Sequence, residues 1–399
     1  MRNFNSKYII FLFLIMFSCV SNADYLVKFN NFSFFGNITN ITPPSQPQNN
    51  HPCYQENLDT VCSYEGQDLL VVDRNTLMDV LDGNVSGTLY TFDGRTWDVN
   101  QVYTGKITDF SSRNSGNTCD IPTNLSYPFV PEGFNSDISM WDMSSAQNLD
   151  RMFACNTTFN QPLNNWDVSN VESFDATFAG TNFNQPLNNW DMRNAIDISS
   201  MFQESTFNNN IAGWVFEDLQ SANKIFFENT TFNQPIDWNF SQVASNVTFE
   251  LMFSGATAFN SPIIIDTNKV NNMRLMFENA LNFNQSLNHF DVSNVVDMFA
   301  MFRGASSFNQ DLTNWVFSPS LSSMDNLFEG ASNFNGDITT WNTSAIGTFK
   351  GTWKNASSFN QDLSGWCVSS VDRIDDIEDY DLGATSWQAS NKPDWPNCP

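Results

Sequence analysis

The chain has 399 residues, 41% of them hydrophobic and 15% aromatic, with Phe alone occurring 38 times, which is enough apolar material for an extended core. Only 17 Lys and Arg stand against 43 Asp and Glu, a formal net charge of -26. That balance argues against nucleic acid as a partner, because phosphate binding needs a basic footprint, and an acidic surface instead favours solubility and leaves room for cations or basic partners.

The N-terminus reads as an export signal. Arg2 and Lys7 precede an apolar run from Tyr8 to Phe17, and Ser21-Asn22-Ala23 offers small residues where a signal peptidase cuts. We expect residues 1–23 to be removed after Ala23, giving a secreted or cell-surface protein. Lipoprotein anchoring at Cys19 is a lesser alternative, since Met16 and Phe17 make a poor lipobox. The apolar run is short for a bilayer, and no later segment suggests a membrane anchor. Cleavage leaves six cysteines, Cys53, Cys62, Cys119, Cys155, Cys367 and Cys398, and an even number in an exported chain reads as disulfides. Proximity favours the pairs Cys53–Cys62, Cys119–Cys155 and Cys367–Cys398.

Residues 24–67 are poorly patterned and contain an Asn- and Pro-rich linker. Residues 68–133 read as an N-terminal cap with a degenerate repeat: Leu69 to Val72 suggests a strand, Thr76 to Leu81 a helix turn, and Trp97-Asp-Val-Asn100 echoes a motif that follows.

Ten repeat units occupy residues 134–382, and residues 383–399 form a C-terminal cap that includes Cys398. The dipeptide Phe-Asn recurs at Phe134, Phe159, Phe183, Phe207, Phe232, Phe259, Phe283, Phe308, Phe334 and Phe359, at spacings of 24 to 27. Four residues after each Phe stands Ile or Leu, and seven residues after most stands Trp, as at Trp166, Trp190 and Trp315. In the unit beginning at Phe159, Trp166 and Val168 alternate with polar neighbours, the period of a half-buried strand. Ser169 to Glu172 has the form of a capping box, and Val171, Phe174 and Phe178 fall on one face of a helix. Gly or Asn follows, at Asn156, Gly180, Asn229, Gly255, Asn279, Gly304, Gly330 and Asn355, types that tolerate the left-handed backbone closing a helix; only Glu204 departs. A unit of this kind buries its apolar side by stacking on its neighbours. The spacing therefore predicts an α/β, leucine-rich-repeat-like solenoid of short parallel strands and short helices, with caps at both ends; the rival is a pure β-helix, which the capping boxes argue against.

The motif FNQxLxxWDVSNVxxMxxMFxxA, seen almost whole from Phe159 to Phe178 and from Phe283 to Ala305, resembles the BspA-type leucine-rich-repeat surface proteins. The endings DLSGWCV, ATSW and NKPDWPNCP are similar to that family's C-terminal closure, and Val72 to Leu77 to its pre-repeat segment. The resemblance covers about two thirds of the chain. It implies a cell-surface or secreted protein, often linked to adhesion, and supplies no binding residues.

Asp142, Asp167, Asp191, Asp266 and Asp291 would form a column on the strand face, where Ca²⁺ could sit. The reading we favour is local: each Asp accepts backbone N–H groups in an Asx turn, and Val215, Asn239, Val316, Asn342 and Cys367 interrupt the column. The Asn after each Phe reads as an internal ladder, and the Phe and Trp columns read as core. Twelve Asn-x-Ser/Thr sequons, among them Asn31, Asn84, Asn156, Asn229, Asn239, Asn246, Asn284 and Asn342, would be glycan acceptors in a eukaryotic secretory route.

For catalysis, only His51 and His289 exist, no GxSxG, HExxH or phosphate loop occurs, and the recurring carboxylates repeat once per unit as structural residues do. No cofactor, catalytic residue or metal ligand set is expected. The sequence points to a non-catalytic adhesion surface for an extracellular protein or glycan, bound through Asn165, Asp167, Asn189, Asp191, His289, Asp291 and Asn314. A passive surface coat is the alternative, and a carbohydrate-active hydrolase a more distant one.

Overall fold

A computed structural model describes residues 52–64, 67–86, 90–92, 95–112, 128–240, 242–244 and 246–398. The chain divides into two compact units, Met1–Pro47 and Gln48–Pro399, and every described residue belongs to the second. The signal peptide, Cys19, Ala23 and Cys119 therefore lie outside the described residues.

Strands β1 (Thr60–Tyr64) and β2 (Gln67–Val71) pair antiparallel, and β2 pairs in parallel with β5 (Val102–Tyr103). Helix α1 (Arg74–Ser86) follows β2. Its start is set by Asp73, whose carboxylate accepts the Thr76 amide at 2.8 Å, the expected role of an N-cap Asp. Leu77, Val80 and Leu81, at the i, i+3, i+4 spacing, bury completely in the core. Cys53 is bonded to Cys62 of β1 at 2.04 Å, Cys367 is bonded to Cys398, and Cys155 also takes part in a disulfide. Strands β3 (Tyr90–Phe92) and β4 (Arg95–Trp97) form a separate hairpin, so Trp97 ends a strand, and the first layer of the stack begins two residues later at Val99.

From there each unit lies against the next in parallel. Single bridges link Asp109, Asn148, Ser173, Asp197, Ser221 and Thr248 in succession, and later units through Asn272 to Asp297 and Ser323 to Thr348. At one step they lengthen into the short parallel pair β6 (Val247–Thr248) and β7 (Val270–Asn272).

These contacts fall about seven residues later than the segment expected to be strand, and the helix expected after it does not form: α1 is the one α-helix among the described residues. The backbone hydrogen bonds explain why. The amides of Phe174, Ala176, Phe178 and Gly180 donate at 2.8–3.0 Å to Asp197, Ser199, Met201 and Gln203 carbonyls of the next unit. Alternate amides are thus drawn out of the segment, and an i to i−4 ladder cannot close. The intervening amides of Thr177 and Ala179 close turns onto Phe174 and Ala176. The first of these turns needs a left-handed third residue, which Ala176 (φ 53°) supplies, and a second left-handed residue follows at Gly180 (φ 65°). The Gly and Asn taken for helix closers occupy this second left-handed position, as do Cys155, Glu204 and Glu228, whereas Asn156 and Asn229 lie one residue beyond it and are buried. The supposed capping box is also redirected: the Ser169 amide and hydroxyl both donate to Asp167, and the Glu172 amide donates to Gln147.

Three aromatic columns fill the interior. Phe134, Phe159, Phe183 and their seven successors stack at 5.7–6.5 Å between ring centroids. A second column from Phe153 to Phe328 stacks at 5.3–5.8 Å and packs against the first, as in the 4.2 Å pair Phe178–Phe183. The tryptophans form the third, and from Trp141 to Trp341 their indole N–H groups donate to a carbonyl of the previous layer, as when Trp190 donates to Leu163 at 2.9 Å; the buried Trp366 indole that follows has no such partner. Buried indoles usually find one.

Outside the Phe column runs an unbroken asparagine ladder. Each side-chain oxygen from Asn135 to Asn335 accepts the backbone amide of the next Asn in the series, and Asn360 accepts that of Gln388. Asn fits here because one residue can receive a neighbour's amide while its own amide donates to the unit before.

Candidate functional site

The stack has two long polar flanks. The first carries the residues that sequence singled out. Asn165, Asn189, His289, Asp291 and Asn314 are exposed there, and Asp167 and Asp191 half-buried. They lie in or beside turns, not on strands, so the expected strand face is corrected to a turn flank; among the described residues only Val215–Asn239 and Ile236–Ile263 bridge there. The turns form because Leu163 and Trp166, or Val168 and Val171, close i to i+3 hydrogen bonds.

The carboxylates on this flank serve the backbone. Asp167 accepts the Ser169 amide at 3.1 Å, Asp191 the Arg193 amide at 3.2 Å, and Asp291 the Ser293 amide at 2.9 Å. Asp142 and Asp266 do the same two residues on, and so does Asn342. Arg193 also clamps Asp191 and holds its carboxyl below the usual range. Among the described residues no group of three His, Cys, Asp or Glu is placed to hold a metal.

The second flank carries the bridges, and sequence reasoning passed over it because its residues fell inside the supposed helix. Its bridging column runs Asp109, Asn148, Ser173, Asp197, Ser221, Thr248, Asn272, Asp297, Ser323 and Thr348. Two residues on stands a second column, Asp150, Asp175, Ser199, Asn223, Glu250, Arg274, Phe299, Asp325 and Lys350. A local rule fixes these types. The amide of each second-column residue needs an acceptor, and the residue two before supplies it, as Asp197 does for Ser199 at 2.8 Å and Asn272 for Arg274 at 2.9 Å. Where Ser173, Thr248 or Thr348 stands there instead, the second-column residue of the preceding unit takes over: Asp150, Asn223 and Asp325 accept the amides of Asp175, Glu250 and Lys350. The recurrent Asp, Asn, Ser and Thr of this flank are the readable signal that was available.

Charge on this flank changes along the stack. Near the start Asp150, Asp175 and Asp197 face a single guanidinium, Arg151, which bonds Asp175 at 2.6 Å. Burial outweighs that pairing and, helped by Asp150 and Asp197, pushes the Asp175 carboxyl up to about 6. Further on, opposite charges interleave: Arg274 lies between Glu250 (4.0 Å) and Asp297 (3.7 Å), and Arg303 pairs with Glu278. Arg274 also sits 4.1 Å above the Phe299 ring. The arrangement can offer hydrogen bonds, charges and one cation-capped aromatic ring at regular spacing.

Two sequons, Asn156 and Asn229, are fully buried, and their amide groups are committed to backbone carbonyls such as Pro131 and Phe207. A glycan would not reach either. Asn284 belongs to the asparagine ladder. No helix of the described residues is long and apolar enough to cross a membrane.

No curated protein and no solved structure matches the chain. A family model described as "Mycoplasma protein of unknown function, DUF285" matches three times in tandem, over residues 123–238, 236–322 and 319–394. The matches follow one another through the stacked units and together take in more than half of the sequence. The chain therefore belongs to the family of Mycoplasma proteins of unknown function, DUF285.

Proposed function

We propose that this chain is an exported, non-catalytic interaction protein, that its stacked units form a solenoid akin to BspA-type surface proteins, and that the bridged flank meets an extracellular protein or glycan. The observation that carries this reading is the continuity of that flank. Its side chains recur on successive units at about 4.8 Å, the distance between paired strands, so a regular ligand could meet the same contact repeatedly. The interior columns and the asparagine ladder are consumed in holding the units together. They account for regularity of backbone without needing a reaction.

The test is an array of glycans and matrix proteins probed with residues 24–399, with and without calcium. Arg274→Ala and Phe299→Ala on the bridged flank are expected to lower saturable binding about tenfold, as residues at the centre of an interface do. Asn189→Ala and His289→Ala on the turn flank should leave it unchanged. Absence of any saturable ligand would favour the passive coat, and turnover of a polysaccharide would favour the hydrolase.

A further inference from the structure

The hydrogen-bond pattern gives the stack two unlike ends. In a typical layer four carbonyls point back to the preceding unit and four amides point forward, against one reversed bond such as that from Glu172 to Gln147. The first layer therefore presents carbonyls with no unit before them, and the chain closes that end itself. Arg74 donates from Nε to the Asp109 carbonyl at 3.0 Å and from Nη2 to those of Ser111 (2.5 Å) and Ser112 (3.1 Å). Its guanidinium thus replaces the amides of a missing layer.

The other end is different. The last layer accepts four amides from Phe349, Gly351, Trp353 and Asn355 through the carbonyls of Asp376, Glu378, Tyr380 and Leu382. Its own forward amides at Asp379, Asp381 and Gly383 donate to no described residue. Asp379 (φ 54°) and Gly383 (φ 83°) keep the left-handed backbone that Gly351 and Asn355 use to bond forward. The edge is preformed. Beside it Ile374 is 79% exposed and Leu382 53% exposed, two of the most exposed large apolar side chains among the described residues. Six carboxylates, Asp372, Asp375, Asp376, Glu378, Asp379 and Asp381, accompany it, with Arg373, Lys354 and Lys392 pairing only three of them.

We propose that this C-terminal layer is a docking edge for an extended, lysine- or arginine-bearing segment of another polypeptide, added as one more layer. Open amides call for backbone carbonyls, exposed Ile374 and Leu382 call for alternate apolar side chains, and the carboxylates call for cationic ones. A second copy of the chain is a poor fit. Its carbonyl end is covered by Arg74, and it carries a net charge of -26.

The probe is an acetylated, alternating Lys-Val decapeptide, tested on residues 24–399 by calorimetry and by amide hydrogen exchange. Saturable binding is expected, with exchange at Asp379 and Asp381 slowed at least about tenfold, as newly bonded edge amides would be. Asp376→Asn with Glu378→Gln should weaken binding about three- to tenfold, the worth of exposed charge pairs, while leaving the unfolding transition in place. An alternating Glu-Val decapeptide should not bind. Three results would each overturn the proposal: no binding of the Lys-Val peptide, binding without slowed exchange at Asp379 and Asp381, or equal binding of deca-lysine, which would reduce the feature to charge alone.

Discussion

Gly304 tests whether successive units are fitted to one another residue by residue. It holds φ at 69°, and a Cβ added there would lie 2.2 Å from the side-chain oxygen of Asn279, its counterpart one unit earlier. Alanine in the left-handed region costs about 1–2 kcal/mol. Displacing Asn279 from its rotamer adds about 1 kcal/mol, and the lower entropy of the unfolded alanine chain returns about 0.4–1 kcal/mol. Gly304→Ala should therefore destabilise by about 2 kcal/mol, a sum of these terms. The assay is urea unfolding followed by tryptophan fluorescence, run on Gly304→Ala, Asn279→Gly and the double variant. Removing the Asn279 side chain abolishes the clash and leaves the backbone cost, so the cycle should show a coupling of about 1 kcal/mol. Strictly additive variants, or a Gly304→Ala protein as stable as the parent, would refute the claim of side-chain fit between these positions.

Other outcomes follow from the same structure. Asn284→Ala removes the acceptor of the Asn309 amide and the Gln310 side chain, both at 2.9 Å, and should cost about 1 kcal/mol and quicken exchange at Asn309, whereas Asn284→Asp keeps the acceptor and should cost less. Arg74→Met should cost about 2 kcal/mol, the worth of charged hydrogen bonds, with faster exchange confined to Phe110 and Ser112 and none at Met324 or Phe328. Asp175 binds a proton more tightly folded than unfolded, since its carboxyl is raised from 3.8 to about 6. Its contribution is thus fully present below pH 3.8 and lost as pH rises through about 6, so thermal midpoints should rise between pH 7.5 and 5, and Asp175→Asn should flatten that rise.

Much of the architecture is legible in the string of residues. The Phe-Asn period fixes where each unit begins, the seven-residue offset to Trp marks a buried column, and Asp two before Ser announces an Asx turn, as Asp167 and Ser169 demonstrate. What misleads is the stretch from Val171 to Gly180. Its apolar spacing suits a helix face, yet Phe174, Ala176 and Phe178 are all buried on a backbone that alternates in handedness. Spacing reports which side chains turn inward and is silent on whether an amide is bonded within the segment or to the next unit. The left-handed residues that decide the matter are mostly not glycine. Leu251, Leu275, Lys224 and Ala300 all hold φ between 53° and 58°, a conformation that composition does not advertise. The candidate face moved for the same reason. Once the bridges proved to lie at Ser173 and its equivalents, the half-exposed polar columns of this flank were those of Ser173 and of Asp175, and the Trp-Asp segment became a row of turns.

The one-way direction of the ladder also has an electrical consequence. In a typical unit four peptide groups point their N–H forward, and one, at Glu172, points backward. Each carries a dipole of about 3.5 D, and in ordinary sheets these largely cancel. Here roughly three per unit would add, giving partial positive charge at the C-terminal end and partial negative charge at the N-terminal end, the reverse of an α-helix. The acidic run at Asp372 to Asp381 and the guanidinium of Arg74 each stand at the pole that attracts them. Lengthening the array by whole units would strengthen both poles without altering any single contact.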